Sequence, residues 1–141
     1  MIDPENDMRL NQVTLPCTDY AASVAWWQRF GLKLIVDSPP RYARFECPEE
    51  AGEEPATLSL HQVDAAAPGD WPAVYFEVKD VFIEVGGRCM AAIHPLGEPE
   101  RKDWLWTEAW YQDPAGNRVC LYSAGKNRRF PPWRVGEEAA E

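Results

Sequence analysis

The sequence predicts an α+β fold built from two β-α-β-β-β modules in tandem. Three observations carry that prediction: a repeat at a fixed offset, an aspartate at the same helix start in both copies, and period-2 alternation along the strands. "VTLPCTDYAASVAWW" begins at Val13 and "VYFEVKDVFIEVGGR" begins at Val74, 61 positions later. At that offset Val13, Leu15, Cys17, Asp19 and Val24 meet Val74, Phe76, Val78, Asp80 and Val85. The matches describe a strand, an Asp where a helix begins, and an apolar helical position. The offset holds again near the end of each half, where "TLSLH" (57–61) meets "RVCLY" (118–122). Two matches at one offset mark a repeated unit.

The elements follow in order. Residues 1–9 form an N-terminal extension. The first module, 10–63, reads as strand 10–17, helix 19–30 closed by Gly31, and strands 32–37, 41–47 and 56–62. The second, 72–125, reads as strand 72–79, helix 80–91, a short strand near 92–94, and strands 104–112 and 117–123. Gly86 and Gly87 each cost the second helix about 0.8–1 kcal/mol relative to Ala, so packing must hold it. Between the last two strands, "DPAGN" (113–117) is turn chemistry, because Pro presets φ and Gly tolerates positive φ. Residues 48–55 and 64–70 are loops by composition, the second joining the modules. The tail, 126–141, has too much Pro and charge for a core element, and its end is expected to be mobile.

Charge and composition narrow the function. With 23 acidic against 14 basic residues and a net charge of -9, the chain opposes the electrostatic footprint of a nucleic-acid or anionic-membrane binder. No apolar run approaches a membrane span, and the acidic start "MIDPENDM" lacks signal-peptide features, so a cytoplasmic location is expected. Cys17, Cys47, Cys89 and Cys120 show no close pairing and are expected to be free thiols.

Alternation sorts each strand into two faces. Val13, Leu15, Ala43, Phe45, Leu58, Leu60, Val74, Phe76, Val78, Val119 and Leu121 form an apolar face to lie under the helices. The opposite face carries Gln12, Tyr42, Arg44, Ser59, His61, Tyr75, Glu77, Trp106, Glu108, Trp110, Cys120 and Tyr122. So polar and aromatic a set points to a cleft that binds a small molecule.

The paired units, with "VTLPCTDYAASVAWWQRFGLKL" after Gln12 and "EAWYQDPAGNRVCLY" near the end, resemble the glyoxalase, bleomycin-resistance and extradiol-dioxygenase (vicinal oxygen chelate) superfamily over residues 10–125. The resemblance implies an open, curled mixed β-sheet (half-barrel) around a ligand site, helices on its outer face, and a homodimer. It also implies a divalent metal held from the first and last strand of each module. Counting seven back from Asp19 and Asp80 gives Gln12 and Ala73; seven forward from Asp113 gives Cys120, and the repeat gives Ser59. Only Gln12 suits the pattern, since a hard or borderline divalent ion wants carboxylate or imidazole donors. No cofactor is therefore expected and a divalent metal is disfavoured, a displaced Gln12, His61, Glu77 site being the remaining route to one.

Individual residues keep more than one reading. Cys120 is a buried space-filler, a pocket contact or a reactive thiolate, and His61 a hydrogen-bonded pocket residue, a ligand or a base. Trp104, Trp106 and Trp110 either stack on a planar ligand, with Glu108 meeting a cation or polar group, or form an aromatic core. Trp26 and Trp27 suit a core or a dimer contact. "RRFPPWR" (128–134) caps the pocket, embraces a partner or lies on the surface anchored by Phe130 and Trp133. The leading expectation is a metal-independent small-molecule binder. Its rival is an enzyme of the same superfamily, a lyase, isomerase or dioxygenase, with Glu77, Glu108 or His61 as acid and base.

Overall fold

The computed structural model describes residues 9–48, 54–66 and 72–136. Residues 1–8, most of the 48–55 loop, most of the 64–70 junction and the end of the tail lie outside them. The chain divides into two compact units at residue 66.

The first unit runs β1 (Gln12–Cys17), α1 (Tyr20–Phe30), β2 (Lys33–Ser38), β3 (Tyr42–Glu46) and β4 (Thr57–Gln62). Its sheet has the order β1-β4-β3-β2, with β1 parallel to β4 and the other pairs antiparallel. The second unit repeats this plan with β5 (Ala73–Glu77), α2 (Val81–Met90), β6 (Glu100–Arg101), β7 (Thr107–Gln112) and β8 (Arg118–Ser123), in the order β5-β8-β7-β6. The repeat seen in sequence reaches down to the register. Gln12 lies opposite Thr57 in the first parallel pair and Ala73 opposite Arg118 in the second, each member displaced by the same 61 residues.

Both helices start alike because both have an aspartate cap. Asp19 and Asp80 hold extended backbone (φ -135° and -137°), and their carboxylates accept the N–H of Ala22 and Ile83, each at 3.1 Å. Gly31 ends α1 at φ 125°, a conformation only glycine adopts without strain, and donates to the Trp27 and Gln28 carbonyls. The α1 residues Tyr20, Ser23, Trp27 and Phe30 are buried at helical spacing against β4 and β2. On the sheet, Leu15, Ala43, Phe45, Leu58 and Leu60 are each at most 2% exposed. Trp27 is core, and Trp26 is half-buried, stacked on Phe30 at 5.1 Å.

The second unit is covered more thinly. Val119, Leu121, Ala109 and Tyr111 are buried on the face toward α2, but α2 itself fully buries only Val81. Val74 and Phe76 are half-buried, while Phe82, Ile83 and Met90 stand exposed at 65%, 70% and 91%. Packing therefore does less for this helix than its glycines demand. The Asp80 cap and the 2.6 Å Glu84–Arg88 pair, at i and i+4, supply part of the difference.

Two elements depart from the sequence expectation. The strand placed near 92–94 is a loop, because Ala92 turns the chain at φ 62° as α2 ends, and the pairing strand is the two-residue β6 instead. The strand placed at 104–112 starts at Thr107, because Leu105 adopts φ 70° in a tight turn closed by Leu105 N–H to Lys102 C=O (2.9 Å) and Lys102 N–H to Trp106 C=O (2.7 Å). The β7–β8 hairpin forms as its turn residues require. Asp113, 3% exposed, accepts the Ala115 and Asn117 N–H groups, and Gly116 takes φ 93°. After β8 the chain makes a 3-10 turn, Gly125–Arg128; beyond it Phe130 and Trp133 are exposed on the single chain.

Candidate functional site

Each sheet leaves one face without a helix, and the two faces differ in chemistry. On the first, alternation brings Gln12, Thr57, Ser59, Tyr42 and Arg44 together across β1, β4 and β3. Gln12 Nε2 donates to Ser59 Oγ at 3.0 Å and Thr14 Oγ1 at 3.2 Å, and its Oε1 accepts the Thr57 hydroxyl. Ser59 is fully buried and lies 2.6 Å from the Tyr42 hydroxyl, which also accepts Arg44 Nε–H at 2.9 Å. Burial raises the Tyr42 pKa, but the Ser59 and Arg44 hydrogen bonds and the guanidinium charge outweigh it, leaving the phenol more acidic than usual. His61 is exposed at the end of this face, opposite Tyr42.

The second face is aromatic. Tyr75 on β5, Trp110 on β7 and Tyr122 on β8 project from it, joined by Trp106 just ahead of β7. Trp106 stacks on Tyr122 with centroids 4.4 Å apart and planes at 18°. Tyr75, 41% exposed, meets the rings of Trp106, Trp110 and Tyr122 edge-on at 6.0, 5.3 and 5.7 Å. Cys120 is fully buried beneath them, packed with Tyr122 and Ala124.

Glu108 ties the indoles down. It is 4% exposed; one carboxylate oxygen accepts Trp104 Nε1–H at 2.7 Å and the other accepts Trp110 Nε1–H at 3.0 Å. Trp106 Nε1–H reaches the Asn127 carbonyl at 3.4 Å, and Arg128 lies 3.6 Å from Glu77, so the 3-10 turn is fastened beside the aromatic face. Burial, reinforced by the Glu108 charge, pushes the Cys120 thiol up to about 12. Burial likewise raises Tyr75 and Tyr122, which stay neutral phenols at physiological pH.

The four positions named by the metal pattern are now placed. Gln12 and Ser59 are hydrogen-bonded to each other, Ala73 offers no donor, and Cys120 is a buried, protonated thiol. Among the described residues no three or more His, Cys, Asp and Glu side chains gather in a way that would hold an ion. His61 belongs to the first unit and Glu77 to the second.

The sequence model of the Glyoxalase/Bleomycin resistance protein/Dioxygenase superfamily matches residues 9–121. The chain belongs to that superfamily. Solved structures of the superfamily fold agree. A lactoylglutathione lyase from Agrobacterium tumefaciens superposes with TM-score 0.63 at 20% identity, covering 84% of this chain and 96% of that one. A bleomycin-binding protein complexed with bleomycin gives 0.63 at 17%, covering 83% and 98%. A bleomycin resistance determinant encoded on the transposon Tn5 gives 0.65 at 16%, covering 82% and 98%. No curated protein sequence matches. Identities this low speak for the fold alone.

Sequence reasoning missed two features of the candidate site. It put Glu108 on the aromatic face but not between two indoles, a contact set by the Leu105 turn, and it gave Asn127 and Arg128 no part beside Trp106 and Glu77. A non-glycine positive φ leaves no composition signal.

Proposed function

We propose that this superfamily member binds a small organic molecule, planar in at least one part, against the aromatic face of its second sheet, and holds it without a metal and without turnover. The observation that carries the reading is the Tyr75, Trp106, Trp110 and Tyr122 group, open to solvent at Tyr75 and fixed beneath by Glu108. Rigid rings lose little entropy when a ligand stacks on them. The donor set at Gln12, Ser59, Ala73 and Cys120 does not fit a hard divalent ion, which supports the metal-independent part. The bleomycin-binding fold relative supports sequestration as the form of the function. The lyase relative keeps an enzymatic rival in view, but both Glu108 oxygens are taken by indoles and Glu77 faces Arg128. The same reading takes the protein to be a cytoplasmic homodimer.

Tryptophan fluorescence titrated with bleomycin and a set of planar aromatic compounds tests the reading. A binder is expected to quench the emission, and Trp106→Leu with Trp110→Leu to weaken binding by roughly five- to 150-fold, as two lost ring contacts of about 0.5–1.5 kcal/mol each imply. Unchanged affinity in a cooperatively folding double variant sinks it, and product formation moves the assignment to the enzymatic rival.

A further inference from the structure

The hydrogens of the first sheet do not close among themselves. Ser59 is fully buried, accepts from Gln12 Nε2 at 3.0 Å and touches the Tyr42 hydroxyl at 2.6 Å. Either hydroxyl could donate across that contact, but Tyr42 is the one acceptor that the Ser59 proton meets among the described residues, and leaving a buried hydroxyl proton without a partner costs about 1–3 kcal/mol. Ser59 therefore donates to Tyr42. The Tyr42 oxygen then receives both Ser59 O–H and Arg44 Nε–H (2.9 Å), and its own phenolic proton has no acceptor among the described residues. Arg44 is exposed on β3, an interior strand, with its guanidinium held 5.4 Å from the Tyr42 ring centre. With Nε committed to Tyr42, the two Nη groups of this exposed side chain keep their donors, and no carboxylate of the described residues pairs with them. Glu46, two residues along, sits at the far end of the strand opposite Thr57.

We propose that Arg44 and Tyr42 form an oxyanion subsite on the first sheet, which takes the carboxylate or phosphate of a small organic ligand through the Arg44 Nη fork and the Tyr42 O–H. The fork matches the two oxygens of such a group, and the Tyr42–Ser59–Gln12 chain fixes the arginine before a ligand arrives. In a chain of net charge -9, an oriented cation with unused donors on a helix-free sheet face is suited to one anionic group.

Benzoate, phenyl phosphate and the neutral isostere benzamide are titrated against isotopically labelled protein, reading the Arg44 Nε resonance and the heat of binding. Benzoate or phenyl phosphate is expected to shift the Arg44 resonance and benzamide to leave it still; whichever anion binds more tightly identifies the group. Arg44→Met is expected to weaken anion binding by roughly tenfold or more, and Tyr42→Phe by a smaller factor with the arginine retained. Equal binding of benzoate and benzamide, or no shift at Arg44 with either anion, overturns the subsite. Because the resonance is read on the first sheet, this result stands apart from the fluorescence test of the aromatic face.

Discussion

Cys120 is the position that the sequence reading assigned to a metal ligand, and its surroundings keep it a thiol. It is fully buried, packed against Trp106 and Trp110, and burial with the nearby Glu108 charge pushes its thiol up to about 12. Disulfide-exchange titration at mildly alkaline pH is expected to modify exposed Cys89 first and Cys120 only on unfolding; fast native-state labelling of Cys120 would refute this. The pH dependence has a definite sign. Tyr20 and Tyr111 are also raised to about 12, Tyr20 by burial and its bond to Asp37, Tyr111 by burial. From about pH 9 the unfolded chain gives up protons that the folded one keeps, so stability is full below that pH and falls toward about 12. Denaturant midpoints measured across this range should decline; a flat profile would contradict the burial of these groups. Glu108→Gln turns one acceptor oxygen into an amide donor facing an indole N–H, and is expected to destabilise by about 1.5–3 kcal/mol with altered near-ultraviolet circular dichroism. Alternation was enough to place Glu108 on the right face. Its partners were not legible, since they depend on where Leu105 turns the chain.

The helices divide into what capping and what packing provide. Asp19 and Asp80 were readable as caps because their offset matched and an apolar pattern followed, and both carboxylates bond as that reading requires. Replacing either by Ala is expected to cost about 1 kcal/mol in chemical denaturation. Gly86 and Gly87 are exposed, have helical backbone, and leave open space where a Cβ would stand. Ala at each is expected to stabilise by about 0.8–1 kcal/mol, unless that surface is covered in solution. A loss of stability would show that something packs there. The strands were legible wherever alternation persisted. They were not near β6, where two residues carry no period.

At the scale of the molecule, tandem modules, helix-start aspartates and the last hairpin were all in the sequence, because each rests on local chemistry repeated at one offset. The ligand was not, since recognition is set by which side chains three separate strands bring together. Exposed Phe82, Ile83 and Met90 on α2 accord with a homodimer, and light scattering at micromolar concentration is expected to give twice the chain mass; a monomer would refute it. The central claim, a superfamily member that binds an organic molecule without a metal, is tested most directly by the metal content of the purified protein, paired with its thermal transition before and after chelator. The account predicts substoichiometric divalent metal and an unchanged transition. One tightly held ion per chain, with a transition that falls when it is stripped, would contradict it.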